Sequence, residues 1–416
     1  MNRSLFRTGE RLFDELADAP NPKPLAADKA RFGKLASLYT SFSCDFAGYA
    51  LDICIGAGCK RIVDPFGGMG TVAEAGRSKA LQLDLGDFSP FAALSCAFRS
   101  APQDDILQCT EFVQRLAIEI GADDEQEFFS QLFCAAGVKT SSSFALTLKS
   151  PTAPEHRNAA LTVYLAALSR IRLYKGFAGS NPTWVKRPDA IADSAATRDA
   201  VIETLGTVRA YVAHLPSLHV ENRTRATWSS LESGSYEPGS IDAIVTSPPY
   251  ANRTDYIRHY LPASELLLAA AGCDERTIRS EQIGTPLIRT DQPSRPLPAS
   301  VTSILDRIRT HHGYASERYY YKGFLYYFSD MADALARMRS WLRPGGLLLM
   351  VVQDTYYKDL YVPTADMLVD IADRCGFRAV GRQDWRVNQR LSSLSPHSRR
   401  RMPSRALSES LIAFSR

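Results

Sequence analysis

The sequence predicts an α/β fold in which a mostly parallel sheet is covered by helices and interrupted by an inserted helical module. Short aliphatic runs of strand length, such as residues 241–245, alternate with longer segments of helical periodicity. From residue 97 to residue 226 the periodicity is helical throughout, which is too long for a connection within a sheet. The chain of 416 residues also exceeds the usual size of one core, so it has room for such an insertion.

A first motif lies in residues 61–71, where an aliphatic strand pattern ends in Asp64 and a glycine-rich turn follows. Gly67, Gly68 and Gly70 allow positive φ and let a ligand approach the backbone, and the next helix turns its N-terminus towards that ligand. The spacing is not G-x-G-x-x-G, and the Lys-Ser/Thr pair of a phosphate loop is missing, so we do not expect a pyrophosphate there. A carboxylate at the strand end is better suited to a cationic amino group.

A second carboxylate, Asp87, follows the strand pattern of residues 81–85. An acidic residue at the end of the second strand of a βαβ unit commonly holds the two hydroxyl groups of a ribose. Asp87 is therefore a candidate ribose ligand, and a role as helix N-cap ahead of Pro90 is the alternative.

The stretch from Ile241 to Tyr250 is the motif around which the chain is organised. Its strand pattern ends in Ser247-Pro248-Pro249-Tyr250, where neither proline has an N–H group to donate to a neighbouring strand. The strand must therefore end in a rigid corner. Because ligands bind at the carboxyl ends of strands in open α/β sheets, we expect Ser247 and Tyr250 at the rim of a crevice, with an ordinary loop as the alternative.

Other segments predict local structure. Asp45 is the candidate N-cap of a helix through residues 46–55. Residues 280–303 contain several prolines and predict a long surface loop beside the crevice. Within the helical module, apolar residues at three- and four-residue spacing predict helices over 106–120, 125–136, 155–174 and 197–215.

Basic side chains are concentrated in two parts of the sequence. In the linkers of the helical module they alternate with aromatic residues, an arrangement that can hold a phosphate backbone and stack on bases. Towards the C-terminus, arginines continue through a Ser/Pro-rich stretch that has no helix face to decorate. A solvated charged surface is the alternative at both places. Together with Arg253 just after the corner, the candidate nucleic-acid contacts are Lys186, Arg187, Arg390, Arg399, Arg400 and Arg401.

Composition sets broader limits. A formal net charge of +4 is weak evidence for an anionic partner, because it is spread over a large surface. The eight cysteines show no C-x-x-C spacing, so we expect buried free thiols in a reducing compartment, with a disulfide or zinc role as the alternative. No segment has the apolar length of a signal peptide or a membrane span, and the expectation is a cytoplasmic protein without a metal or membrane partner.

The motifs at 64–71 and 247–250, each at a strand end and in this order, together resemble the S-adenosylmethionine-dependent DNA amino-methyltransferases. Ser-Pro-Pro-Tyr is most similar to their N4-cytosine branch. The resemblance covers about residues 35–96 and 227–416 and implies a class I methyltransferase fold, which is Rossmann-like with a mostly parallel seven-stranded sheet. The predicted organisation is an N-terminal part of the methyltransferase domain with the cofactor loop (1–96) and a C-terminal part with the catalytic loop and a basic tail (227–416). Between them lies the helical insertion (97–226), which the resemblance leaves unexplained and which is a candidate DNA-recognition module.

The resemblance implies S-adenosylmethionine as the cofactor. Residues 64–71 would bind its methionine part, Asp87 its ribose and Phe88 its adenine, and Thr40 and Phe42 lie where the family has a cofactor lid. Residues 226–230 contain no acidic side chain to meet the adenine amino group, which departs from many family members. The implied cofactor residues are Thr40, Phe42, Asp64, Pro65, Phe66, Gly67, Gly68, Gly70, Thr71, Asp87 and Phe88.

The implied catalytic residues are Ser247, Pro248, Pro249 and Tyr250. The Ser247 hydroxyl and the Pro248 carbonyl would accept hydrogen bonds from the two amine protons of the target base, and Tyr250 would stack on that base after it has left the DNA duplex. The implied function is site-specific methylation of cytosine N4 in double-stranded DNA, in restriction-modification or phage defence, with a cognate endonuclease or another defence-system subunit as a further partner. The alternatives are an N6-adenine DNA or RNA amino-methyltransferase and an inactive DNA-binding scaffold subunit of the same fold.

Overall fold

The computed structural model describes residues 16–23, 35, 42–174, 191–229, 236–251, 254–289, 295–387 and 406–416. Its strands are β1 (Arg61–Asp64), β2 (Gln82–Asp87), β3 (Arg223–Trp228), β4 (Ile241–Thr246), β5 (Leu342–Gln353), β6 (Thr355–Tyr357), β7 (Leu360–Val362), β8 (Arg378–Val387) and β9 (Leu407–Ser415). Seven of them form one sheet in the order β3-β2-β1-β4-β5-β9-β8, and β6 and β7 form a separate hairpin. Within the seven-stranded sheet, β9 runs antiparallel to both of its neighbours and the other pairs are parallel. The prediction of an α/β fold with a mostly parallel sheet is confirmed, and the fold is compatible with a Rossmann-like arrangement.

The strand order changes direction at β1. The chain adds β2 and β3 on one side of β1, and then returns to add β4 and β5 on the other side. At such a point the loops that leave the carboxyl ends of adjacent strands diverge to opposite faces of the sheet and open a crevice between them. By this rule, the loops after β1, β2 and β4 are the ones that border the crevice.

Helices cover both faces of this sheet. They are α1 (Cys44–Gly56), α2 (Thr71–Gly76), α3 (Pro90–Ser100), α4 (Gln103–Glu119), α5 (Glu125–Ala135), α6 (Ser141–Lys149), α7 (Pro154–Leu173), α8 (Ser194–Val212), α9 (Tyr256–His259), α10 (Leu261–Ala271), α11 (Glu275–Glu281), α12 (Ala299–Arg309), α13 (Tyr321–Trp341) and α14 (Thr364–Arg374). A π-helical turn (Ser316–Tyr320) precedes α13. Phe46 of α1 and Val72 of α2 share an apolar cluster with Val245 of β4. On the opposite face, side chains of α13 and α14 pack with Ile244.

Helices α4 to α8 lie between β2 and β3 in chain order, and together with α3 and α10 they build one apolar cluster. Residues 159–169 of α7 are all buried, which is typical of a core helix that is surrounded by other elements. The sequence pattern did not predict α6, because three serines in its first turn have low helix propensity. This helix begins with a capping box, in which Thr140 and Ser143 each accept a hydrogen bond from the other's backbone amide.

Two local predictions are wrong. The N-cap of α1 is Ser43, whose Oγ accepts a hydrogen bond from the Phe46 amide at 3.1 Å, and Asp45 lies in the first turn instead. The proline-rich segment 280–303 is not a loop throughout, because α12 begins at Ala299 within it. One face of α12 is buried through Val301, Leu305 and Ile308, whose spacing is that of a helix. The loop therefore ends earlier than the prolines indicated.

The cysteines and the helix lengths bear on the remaining expectations. None of the eight cysteines forms a disulfide, but Cys134 is exposed, and Cys44, Cys273 and Cys375 are half-buried, so the prediction of general burial is wrong for these four. Across the described ranges, we find no helix with the length and apolar character needed to cross a membrane.

Candidate functional site

Asp64 is the last residue of β1 and is 3% exposed at the crevice. Its Oδ1 accepts hydrogen bonds from the Phe66 amide at 3.1 Å and from Thr246 Oγ1 at 2.6 Å. Oδ2 accepts no hydrogen bond from any residue that the structure describes. The Thr246 bond joins the carboxyl end of β4 to that of β1, so it brings the two sequence motifs together at one point.

The glycine turn after Asp64 packs closely against α3. A Cβ atom on Gly67 would lie 2.8 Å from Cys96 Sγ, and one on Gly70 would lie 3.0 Å from Cys96 Cα. Gly70 also has φ +81°, and Gly68 has φ +50° with no atom closer than 3.7 Å to its missing Cβ. The sequence analysis assigned all three glycines to the approach of a ligand, but Gly67 and Gly70 are required by α3, and Gly68 alone among the three has an open side.

We expect Gly67→Ala to lower the free energy of unfolding by about 1–3 kcal/mol, because the new methyl group would overlap Cys96 Sγ in a packed interior. Urea denaturation followed by circular dichroism measures this loss. Adding Cys96→Ala to the variant should restore part of it, so the two changes should not be additive. Gly48→Ala is a matched control, since no atom lies within 4 Å of its missing Cβ and it lies inside α1. A loss in Gly67→Ala no larger than in this control would contradict the close packing.

Asp87 ends β2 and connects it to the glycine turn. Its Oδ2 accepts a hydrogen bond from the Gly68 amide and its Oδ1 one from the Ser89 amide, both at 2.8 Å. The N-cap of α3 is Ser89, whose side chain accepts from the Ala92 amide, so the alternative role of Asp87 as the helix cap is wrong. Each carboxylate oxygen can accept a further hydrogen bond, and the ribose prediction therefore stays chemically possible.

An aromatic residue that the sequence analysis did not select lies beside Phe88. Trp228, the last residue of β3, donates a hydrogen bond from Nε1 to the Phe88 carbonyl at 2.8 Å, and both rings are half-buried. The Ser229 amide donates to the Asp87 carbonyl at 2.9 Å, which holds the end of β3 against the end of β2. The predicted adenine contact thus has an aromatic neighbour in the segment that lacks an acidic residue.

Burial changes the acidity of both crevice carboxyl groups. It raises the pKa of Asp64 to about 7, with a smaller contribution from the charge of Asp87, while the hydrogen bonds from Thr246 and Phe66 oppose the increase. Burial also raises the pKa of Asp87 to about 6 against its backbone hydrogen bonds. Without a cationic ligand, Asp64 is therefore partly protonated near neutral pH.

This raised pKa makes a prediction for stability. Asp64 binds its proton more tightly in the folded chain than in the unfolded chain, where an aspartate titrates near pH ~3.9. Its stabilising contribution is therefore complete below about pH 4 and is lost as the pH rises through about 7. We expect the free energy of unfolding of the wild type, minus that of Asp64→Asn, to fall by roughly 2–4 kcal/mol between about pH 4 and pH 8. A difference that stayed constant in urea denaturation across this range would contradict the raised pKa.

The corner after β4 is held from several sides. Tyr327 of α13 donates a hydrogen bond from Oη to the Pro249 carbonyl at 3.0 Å, and the Tyr250 amide donates to Tyr256 Oη at 3.3 Å. Pro248 is buried, and Ser247, Pro249 and Tyr250 are half-buried. The Pro248 carbonyl accepts no hydrogen bond within the described part of the chain, so its acceptor capacity is unused there.

The segment that follows the corner is fixed to α11. Asp255 is 1% exposed, caps α9 and forms an ion pair with Arg279 at 2.7 Å. The buried Gln282 donates to the Thr254 carbonyl at 2.6 Å and accepts from the Tyr256 amide at 3.1 Å. The sequence analysis missed these supports, because single buried polar residues in a loop have no periodicity. The Asp255 cap was the one local signal that could have been found.

Tyr250 makes its longest-range contact with the last strand. Its Oη donates a hydrogen bond to Oε1 of Glu409 at 2.8 Å, across a sequence separation of 159 residues. Glu409 lies near the start of β9, paired with Gln353 of β5. Because β9 is antiparallel, its first residues lie at the carboxyl edge of the sheet, beside the corner. The sequence analysis did not place any residue of this strand in the site.

The other predicted site residues are distributed as follows. Pro65 and Thr71 are buried beside the glycine turn, and Phe66 is half-buried against the apolar cluster beneath α13. Phe42 packs on Phe46 with ring centroids 5.4 Å apart, so in this structure it belongs to the packing of α1. The predicted residues that lie outside the described ranges are Thr40, Lys186, Arg187, Arg253, Arg390, Arg399, Arg400 and Arg401.

The search for a metal cluster in the described residues and the comparisons with known proteins add nothing to this geometry. The described residues contain no group of three or more His, Cys, Asp or Glu side chains that could hold a metal ion. Comparisons of the chain with protein-family models, with curated proteins and with solved structures each give no match. The function has to be argued from the crevice itself.

Proposed function

We propose that this chain is an S-adenosylmethionine-dependent amino-methyltransferase of nucleic acid, with the N4 amine of cytosine in DNA as its preferred target. The observation that carries the proposal is the 2.6 Å hydrogen bond from Thr246 Oγ1 to Asp64 Oδ1. It ties the strand before Ser-Pro-Pro-Tyr to the strand before the glycine turn, so a methyl donor and its acceptor would meet in one crevice. The mostly parallel seven-stranded sheet agrees with the class I methyltransferase fold that the two motifs imply.

The residues at the ends of β1 and β2 suit this cofactor. The free Oδ2 of buried Asp64 complements an ammonium group, and charge-assisted hydrogen bonds of this kind are among the stronger ones. Gly68 leaves its side of the turn open, and Asp87 has acceptor capacity left for a ribose diol. Phe88 and Trp228 offer apolar surface to an adenine. When bound, the cofactor supplies an electrophilic methyl group on a sulfonium.

The corner suits a base amine. Such an amine is a poor nucleophile, because its lone pair is delocalised into the ring. Ser247 Oγ and the Pro248 carbonyl can accept hydrogen bonds from its two N–H groups and thereby favour the pyramidal form with a localised lone pair. The Pro249 carbonyl is occupied by Tyr327, which leaves the Pro248 carbonyl for this task. Placing the amine in this way, with fixed acceptors, accounts for most of the rate enhancement that we propose.

The target base has to leave a duplex to enter this crevice. Enzymes that modify a base commonly extrude it and read it between aromatic and polar groups. Tyr250 is the aromatic residue of the corner and supplies the stacking surface, with an energy of about 1–3 kcal/mol by analogy with single-strand binders. Duplex DNA is accordingly the partner that we propose.

Incubation with methyl-labelled S-adenosylmethionine tests the proposal. Purified protein is given unmethylated genomic DNA in one reaction and RNA in another, and the products are digested to nucleosides. We expect label in N4-methylcytosine from DNA, and no label when the protein carries Ser247→Ala. Label in N6-methyladenine or in RNA would support an amino-methyltransferase with a different substrate from the one that we propose. No label in any nucleic acid, together with no cofactor binding in calorimetry, would refute the proposal and favour a scaffold subunit.

A further inference from the structure

Glu409 is a carboxyl group where the strand pattern calls for an apolar side chain. It is 5% exposed, and Leu407, Leu411 and Ala413 at alternate positions of β9 are buried apolar residues. Burying a carboxyl group costs free energy unless hydrogen bonds compensate for the lost water. A leucine would therefore serve the sheet at least as well, and the carboxyl group needs another reason.

The contacts of Glu409 lead back to the crevice. Oε1 accepts the hydrogen bond from Tyr250 Oη at 2.8 Å, whereas Oε2 is buried and has no hydrogen-bond partner among the described residues. Burial raises the pKa of Glu409, and the Tyr250 hydrogen bond and the charge of Lys23 act against the increase. Within the described chain, the contact with Tyr250 is the one hydrogen bond that its side chain makes.

We propose that Glu409 is a positioning residue of the site, which holds the ring of Tyr250 in the plane that receives the target base. The inference rests on the proposed function. Tyr250 is then fixed at both ends, since Tyr256 holds its amide and Glu409 holds its hydroxyl. A ring that is immobilised beforehand loses less conformational entropy when the base arrives, and supported side chains give more accurate sites.

Three variants test the inference in the full-length protein. Glu409→Leu removes the acceptor, Tyr250→Phe removes the donor, and Glu409→Gln keeps an acceptor of similar shape. We expect the first two to lower kcat/KM for the nucleic-acid substrate about tenfold, with the cofactor Kd unchanged in calorimetry. Glu409→Gln should stay within about twofold of the wild type, because it still binds the tyrosine hydroxyl. A double variant that combines Glu409→Leu with Tyr250→Phe should be no worse than Tyr250→Phe alone, because Glu409→Leu then removes a hydrogen bond that is already lost.

Stability separates positioning from a merely structural role. The double variant Glu409→Leu/Tyr250→Phe should keep or raise the urea midpoint while it lowers activity, because it removes both partners of the hydrogen bond and the Glu409 oxygen that has no partner among the described residues. Tyr250→Phe should lower the midpoint, because it leaves the whole carboxyl group unpaired. With only a structural role for this hydrogen bond, the double variant would keep its activity as long as it keeps its stability. If that variant fails to fold, Tyr250→Phe and Glu409→Gln decide, as they leave the shape of the strand unchanged.

The outcomes distinguish the two proposals. Full activity in Glu409→Leu or in Tyr250→Phe, with an active wild type and an inactive Ser247→Ala, would overturn the role of Glu409 and leave the proposed function standing. Activity of Glu409→Gln as low as that of Glu409→Leu would also overturn it, since the hydrogen bond would then not be what matters. A wild type that methylates no nucleic acid would overturn both.

Discussion

Replacing Asp64 by asparagine is expected to weaken S-adenosylmethionine binding by about 100-fold, which corresponds to about 2.7 kcal/mol. The substitution removes the negative charge that would face the cofactor ammonium, while the amide oxygen can still accept hydrogen bonds from Thr246 and Phe66. Hydrogen bonds to charged groups are worth about 1.5–3 kcal/mol, so the loss of this charge should dominate the result. Isothermal titration calorimetry measures the change in Kd.

The pH dependence of binding provides the control for this prediction. Because the pKa of Asp64 is about 7 before binding, and the cofactor requires the ionised form, binding below this pH should release a proton. The affinity of the wild type should fall up to about tenfold for each pH unit below 7, and Asp64→Asn should lack this component. Asp52→Asn, at an exposed carboxylate of α1 whose side chain is 63% accessible, should leave the affinity unchanged. Equal affinity in the wild type and in Asp64→Asn would place the cofactor ammonium elsewhere.

Replacing Tyr250 by alanine is expected to lower kcat/KM for methyl transfer at least about 100-fold, while cofactor affinity is retained. The change removes the stacking surface, worth about 1–3 kcal/mol, and leaves the everted base free to turn away from Ser247 and the Pro248 carbonyl. Initial rates with labelled cofactor and duplex DNA measure the effect.

A surface tyrosine provides the comparison for Tyr250. Tyr314 is 92% exposed, so Tyr314→Ala removes an equal ring without disturbing packing and should keep the wild-type rate. Circular dichroism of each variant shows whether the fold is intact. Undiminished transfer to duplex DNA by Tyr250→Ala would rule out this ring as the platform for the base.

The local parts of the site were predictable, because the chemistry that makes them is local. The Pro248-Pro249 corner ends a strand whatever surrounds it, since the missing N–H groups are a property of the residues themselves. The same holds for the glycine turn, where Gly68 and Gly70 adopt positive φ. Local signals failed for α6, whose polar first turn does not show a helical pattern. They also failed at the start of α1, where both Ser43 and Asp45 are suitable N-cap residues and the structure has Ser43.

Long-range contacts in the site were not predictable in the same way. Glu409 appeared in the sequence between two serines, just before the short apolar run of residues 411–414, and Tyr327 as one aromatic residue in a helical pattern. The register of β9 against β5, which places Glu409 opposite Gln353, brings that carboxyl group to the crevice. Register depends on the packing of both faces of the sheet at once, so no single segment of the chain specifies it.

The sequence by itself determined which strands end in chemically special residues and the order in which these ends occur. Tertiary structure alone decided that Thr246 would bond Asp64, and that Glu409 would hold Tyr250. The physical reason is that the special strand ends follow from backbone constraints within a few residues. The two long-range hydrogen bonds form only when strands that are distant in the chain pair and bury each other's polar groups at one edge of the sheet. Polar groups that are buried together must then bond to one another.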